Sequence, residues 1–193
     1  MGALPPPFGL PRDISAKKKP MADERAKDAT IRDARAGDAA GIAAIWNPII
    51  RDTAITFWPT ERSEDEIAQM IEARHAAGHG FLVAEAPQGI AGFASYTQFR
   101  GGAGYARALE HSIHAHPGYR GRGLGAVLLK AVEDHARARG GRLMIGGITG
   151  SNEGSLRFHE RHGYARWGLI PSAGWKFGRF HDLVLMGKDL LEN

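Results

Sequence analysis

The chain contains no cysteine. That excludes disulfides, thiolate metal sites and cysteine nucleophiles together, and makes the cytoplasm the simplest compartment to expect. No stretch approaches the roughly 18 continuous apolar residues of a membrane span, and the N-terminus lacks the apolar core of a secretion signal. Long blocks of one charge are also missing: 25 Lys+Arg stand against 21 Asp+Glu, a net charge of +4 spread over the chain. Such a pattern argues against a nucleic-acid partner, while a mild basic excess suits a polyanionic ligand.

What is present is the composition of a folded protein. Hydrophobic residues make up 43% and charged residues 24% of 193 positions, which fits one ordinary domain. Residues 1–28 differ from the rest: Pro5, Pro6, Pro7 and Pro11, then Lys17-Lys18-Lys19-Pro20, with little apolar periodicity. They read as a flexible arm, within which Met21 is an alternative start, and residues 29–193 as the domain. The domain begins with a strand at Ala29 to Ala34 and a helix led by Gly37-Asp38, with Ile42, Ile45 and Trp46 on one side and Pro48 where it should bend or end. Ser63 and Glu66 make a capping box for a second helix reaching about Ala77, stopped by Gly78 and Gly80. A hairpin of Phe81 to Ala86 and Ile90 to Gln98 follows, then a strand from Leu109 to His116. The helix 124–139 carries Leu124, Val127, Leu128, Ala131 and Val132 at helical spacing, with Glu133, Asp134, Arg137 and Arg139 facing out. Strand Arg142 to Thr149, helix Asn152 to Arg161 and a strand pair, Tyr164 to Leu169 with His181 to Met186, complete an α/β fold with a mixed, largely antiparallel sheet.

The sharpest local feature is Arg120-Gly121-Arg122-Gly123-Leu124-Gly125-Ala126, between a strand and an amphipathic helix. Alternating glycines let backbone N–H groups converge, and the helix N-terminus behind them favours anions, so the turn suits phosphate oxygens. A plain strand-to-helix turn is the competing reading. Gly121, Gly123 and Ala126 also satisfy the dinucleotide spacing G-x-G-x-x-A. The acidic residue expected about 20 positions on is absent, however, since Arg142-Leu143-Met144-Ile145-Gly146 occupies that stretch. The preceding strand, with Glu110, Ser112, His114 and His116, is too polar for a central parallel strand. No Gly-Lys-Ser/Thr follows to make a nucleotide-triphosphate loop.

Arg120-x-x-Gly123-x-Gly125 resembles the R/Q-x-x-G-x-G/A pyrophosphate loop of GNAT acetyltransferases. Glu110-His111-Ser112-Ile113, the segment Asn152 to His159 with Gly163-Tyr164, and the segment Gly174 to Asp182 are similar to the phosphinothricin and methionine sulfone (sulfoximine) acetyltransferase branch. The resemblance runs from about Ala29 to Leu190 and implies a single-domain GNAT fold, acetyl-CoA as co-substrate with no metal, a small amine as acceptor, and a homodimer. It implies that the main chain of Ile113, His114 and Ala115 pairs with the pantetheine arm, that Ile113 N–H donates to the thioester oxygen, that Arg120 to Ala126 (Gly121, Arg122, Gly123, Leu124, Gly125) hold the pyrophosphate, that the Asn152 side-chain amide bonds the pantetheine, and that Ser155 also binds the cofactor. Phe57 and Trp58, Arg100-Gly101-Gly102 and Glu110-His111-Ser112 correspond to the acceptor pocket, where the Arg100 guanidinium would suit a carboxylate.

An amine attacks a thioester only as the free base, so a carboxylate near it is the expected general base. On an alternating strand Glu110, Ser112, His114 and His116 share one face, and His111, Ile113 and Ala115 the other. Glu110 is the candidate base. His159 stands where many GNAT enzymes carry a tyrosine, and an imidazole there can protonate the leaving thiolate or serve as a second base. His114 with His116, and His75 with His79, have metal-ligand spacing, but the first pair is accounted for by the acetyl-CoA strand and the second is interrupted by Gly78. Acetylation of a protein N-terminus or lysine, and a non-catalytic acyl-CoA-binding module, are the alternatives.

Overall fold

The computed structural model describes residues 29–191, so the proline-rich arm of residues 1–28 lies outside the described residues. Seven strands form one sheet in the order β1-β2-β3-β4-β5-β7-β6. They are β1 (Thr30–Asp33), β2 (Phe81–Ala86), β3 (Gly89–Gln98), β4 (Ala108–Ala115), β5 (Leu143–Thr149), β6 (Ala165–Lys176) and β7 (Arg179–Asp189). Every neighbouring pair is antiparallel except β4 with β5, which run parallel and are joined by a crossover helix, as parallel strands require. Helices α1 (Ala39–Asp52) and α2 (Glu64–Ala76) cover one face. Their Ile42, Ile49, Ile67 and Ile71 pack with Phe81, Val83 and Phe93. Helices α3 (Leu124–Ala138) and α4 (Glu153–Arg161) cover the other, where Leu128, Val132 and Leu156 meet Tyr96, Leu109 and Met144. Among the described residues no helix is long and apolar enough to cross a membrane.

The capping box starts α2 as expected: Glu66 N–H donates to Ser63 Oγ at 3.1 Å and Ser63 N–H to Glu66 Oε2 at 2.8 Å. Three local expectations are corrected. Helix α1 continues through Pro48 to Asp52, because Ile49 and Ile50 are buried and Thr53 closes the last turn through both its N–H and its hydroxyl on Ile49 O. On α3, Glu133 is buried and Val127 is half exposed. Glu133 turns inward because its carboxylate accepts from Tyr164 Oη at 3.0 Å and Lys188 Nζ at 2.7 Å, which offsets its desolvation. Finally, β6 and β7 are longer than the periodicity suggested. They are joined at Phe177-Gly178, both left-handed at φ 52° and 72°, a two-residue turn whose first position rarely holds an aromatic residue.

Candidate active site

Strands β4 and β5 pair from Ala108↔Leu143 to His111↔Gly146 and no further, although β4 runs on to Ala115 and β5 to Thr149. Beyond that point each follows its other neighbour: β4 stays with β3 as far as Ala115↔Gly92, and β5 with β7 as far as Thr149↔Leu183. The strands therefore part, and one edge of Ser112 to Ala115 faces a gap where the sheet would otherwise continue. Two cavities meet there. One, of about 310 Å³, is lined by Glu110, His111 and Ser112 of β4, Gly146 and Gly147 of β5, and Trp46, Phe57, Trp58 and His159. The other, of about 350 Å³, is lined by Ala115, Arg120, Gly125 and Phe158. Ile55, Ile113, His114, Asn152 and Ser155 belong to both walls.

Consecutive glycines on β5 make room for the titratable groups. Successive strand residues face opposite sides. A Cβ at Gly147 would lie 2.9 Å from Glu110 Oε1, whereas one at Gly146 would lie 3.1 Å from His111 Nε2 and 3.4 Å from His159 Nε2. Burial pushes the Glu110 carboxyl above the usual carboxylate range. On the other face the His111 and His159 rings stack at 5.2 Å and 18°, with Tyr164 edge-on to both. Burial, then the neighbouring His159 and His114, holds His111 down to about 3, and burial also lowers His159. His114 packs against Trp46 and Phe93, and burial followed by the charge of Arg120 lowers it to about 4. Both β4 imidazoles are neutral at pH 7. His116 points elsewhere, its Nδ1 accepting from Gly118 N–H at 3.1 Å.

On the second cavity's side, Gly121 and Gly123 adopt left-handed φ of 72° and 84°, the latter at the N-cap of α3, so glycine is required there by backbone geometry. Leu124 is buried beneath the loop. Ala126 N–H is committed to Gly123 O at 3.0 Å. Arg122 keeps a buried Nη1 without a partner. Asn152 caps α4, its Oδ1 accepting from Ser155 N–H at 3.2 Å, so the side-chain NH₂ is the group free to face the gap.

The segment 53–58 roofs the first cavity. Thr149 Oγ1 donates to Ala54 O at 2.5 Å and Lys176 Nζ to Thr56 O at 2.7 Å. Phe57 stacks on His181 at 5.8 Å and fills a notch over Gly174, where a Cβ would sit 2.3 Å from its ring. The Arg62 guanidinium lies 4.0 Å from Trp58 and 5.2 Å from Trp46. Arg100, Gly101 and Gly102 are exposed on the loop after β3, where Gln98 Nε2 donates to Arg100 O and Gly102 O, and they do not line either cavity. Sequence reasoning missed Trp46, Ile55, Gly146 and Gly147. The paired glycines within an apolar strand were a usable signal, since glycine inside a strand marks close approach by another group.

A profile of the Acetyltransferase (GNAT) family matches residues 44–164. The chain is 37% identical to the L-amino acid N-acyltransferase MnaT of Escherichia coli, over 84% of this chain and 95% of that one. It is 35% identical to an L-methionine sulfoximine/L-methionine sulfone acetyltransferase of Salmonella typhimurium, over 85% and 96%. Its fold superposes with TM-score 0.79 on a phosphinothricin acetyltransferase from Sinorhizobium meliloti solved with acetyl-CoA, at 32% identity over 84% of this chain and 88% of that one. The parted parallel strands, the glycine turn ahead of α3 and the extent of these matches agree, and the chain belongs to the GNAT acetyltransferase family.

Proposed function

We propose that the chain transfers the acetyl group of acetyl-CoA to the amine of a small amino-acid-like acceptor of the phosphinothricin, methionine sulfone or methionine sulfoximine type, by direct attack on the thioester. The observation that carries this reading is the meeting of two cavities where β4 and β5 part, with a half-buried carboxylate on the acceptor side and an anion-suited glycine turn on the other. The free edge of Ile113 to Ala115 is the place for a pantetheine arm to add as a strand would, with Arg120, Arg122 and the turn taking the pyrophosphate and Asn152 and Ser155 the arm's amides. Glu110 removes the first proton from the acceptor's ammonium. The nitrogen then forms its bond to the carbonyl carbon, Ile113 N–H stabilises the oxygen as it gains charge, and the carbon–sulfur bond breaks with His159 beside the departing sulfur.

Phe57, Trp58, His111 and Ser112 shape the acceptor's side. Arg100 with Gly101 and Gly102 is the proposed partner for its carboxylate, on the strength of the sequence resemblance. No metal takes part, and the compartment is the cytoplasm. The exposed Trp167, Leu169, Ile170, Trp175, Phe177 and Phe180 of the β6–β7 hairpin support a homodimer, since apolar patches of this kind mark contact surfaces. Sedimentation should give a dimer.

A thiol-release assay with acetyl-CoA and a panel of methionine sulfone, methionine sulfoximine, phosphinothricin, polyamines and peptides tests the reading. Release with the amino-acid analogues, undiminished by a chelator, is expected. Release only with peptides would move the acceptor to a protein, and acetyl-CoA binding without release would make the chain a non-catalytic module.

A further inference from the structure

His111 has no role in the reaction as set out so far beyond shaping a wall, yet its surroundings are not those of a packing residue. Among the described residues, the three imidazole nitrogens that are buried without a hydrogen-bond partner lie in one place: Nδ1 and Nε2 of His111 and Nε2 of His159. The two rings are 6% and 5% exposed and both line the acceptor cavity. A phenylalanine would fill the same stack without burying unsatisfied polar atoms. The tautomer of His159 is fixed by its neighbour: Nδ1 lies 2.7 Å from Ser155 O, which can only accept, so Nδ1 carries the hydrogen and the neutral ring presents Nε2 as a lone pair. His159 in its resting form therefore takes a proton rather than gives one. Both Nε2 atoms converge on one spot over Gly146.

We propose that His111 and His159 act as a pair, their two Nε2 atoms forming a seat over Gly146 for one polar hydrogen, through which the second proton leaving the attacking nitrogen reaches the departing sulfur. The inference rests on the acetyl-transfer reading above. Two protons must leave an ammonium that becomes an amide. Glu110 takes the first, from its own face of β4. After the nitrogen–carbon bond forms, the nitrogen gives up the second to the seat; the carbon–sulfur bond breaks, its electron pair stays on sulfur, and sulfur takes that proton. His111 supplies the hydrogen-bonding atom opposite the His159 lone pair and stays neutral throughout. The charged and titratable groups around the pair are His162 of α4, Glu133 of α3 tied to Lys188 and Tyr164, His114 of β4, and Glu110 on the opposite face.

The test compares His111→Phe, which keeps the stack and removes both nitrogens, with His111→Gln, which returns a hydrogen-bonding atom near Nε2. Thiol release by the full chain is followed over a range of pH, with melting temperature and acetyl-CoA affinity as controls. His111→Phe should lower kcat by about tenfold or more and change the shape of its acid limb, leaving the KM for acetyl-CoA and the melting temperature near wild type. His111→Gln should recover part of the loss. Normal turnover in the Phe variant, or equal loss in both with an unchanged pH profile, would overturn the proposal in favour of packing alone. If wild type releases no thiol with any acceptor of the panel, the catalytic reading has failed, and the seat is then decided by side-chain ¹⁵N spectra. A shift of the His159 Nε2 resonance toward that of a free lone pair in His111→Phe supports it, and identical spectra overturn it.

Discussion

The two sides of the gap between β4 and β5 are built by different means. The side proposed for acetyl-CoA is made largely of main chain: a free strand edge, two left-handed glycines and the first turn of α3, all within residues 112–126. The side proposed for the acceptor is made of side chains brought from α1, β4, β5, α4 and the roof segment. Its fixings span the chain, from Ala54 to Thr149 and from Thr56 to Lys176. A ligand recognised through backbone leaves a short motif. One recognised through side chains on remote elements leaves scattered residues whose association only the fold supplies.

The largest expected effect separates chemistry from binding. Glu110→Gln should lower turnover by about tenfold or more with no loss of acetyl-CoA affinity, read by steady-state kinetics and direct titration. It should also raise stability at pH 7. A carboxyl raised by burial binds its proton more tightly folded than unfolded, so ionising it costs stability as pH rises above about 4.5 toward the raised value, and Gln removes that cost. Unchanged turnover would remove Glu110 as the base.

Next comes the backbone-made side. At Gly123 a Cβ meets nothing within 4 Å, so Gly123→Ala tests the left-handed φ of 84° alone. The strain, roughly 1–2 kcal/mol, should raise the KM for acetyl-CoA about 5- to 30-fold and leave the acceptor's KM in place. An equal rise in both would mean that the two sides are not separable.

The same division explains what was legible in the sequence. The order of elements, the Ser63–Glu66 capping box and the glycine turn ahead of α3 could be read because local periodicity and turn chemistry determine them. Glu110 and His159, which line the first cavity, were singled out through their place in short motifs. Trp46 was not, because nothing near it in sequence marks a cavity wall, and Ile55 was passed over beside Phe57 and Trp58 because an aliphatic residue in a loop carries no chemical signal. The continuation of α1 through Pro48 and the inward turn of Glu133 escaped for a related reason: Ile49, Ile50, Tyr164 and Lys188 decide them from outside the local window. The Phe177-Gly178 turn was hidden by an aromatic at a left-handed position.

A smaller effect probes the roof. Lys176 is buried, its proton affinity lowered by desolvation, and its ammonium donates to Thr56 O. Lys176→Met should loosen the segment over the acceptor and raise the acceptor's KM by about three- to tenfold, with acetyl-CoA kinetics unchanged. An effect confined to acetyl-CoA would place the roof on the wrong side of the gap.

The smallest expected difference lies where the two sides should behave alike. His114 borders both cavities and His111 only the acceptor's, but burial is the first cause of the lowered affinity for protons at each, which fall to about 4 and about 3 from 6.5. Between those values and 6.5 the unfolded chain holds more protons than the folded one, so stability present above pH 6.5 is lost as pH falls toward 4 and then 3. Urea unfolding at a series of pH values should show this decline in wild type. His114→Phe and His111→Phe should each flatten it by a comparable amount. If only one did so, the neighbouring charge, Arg120 beside His114 or His159 beside His111, would outweigh burial, and the two sides would differ in electrostatics as well as in construction.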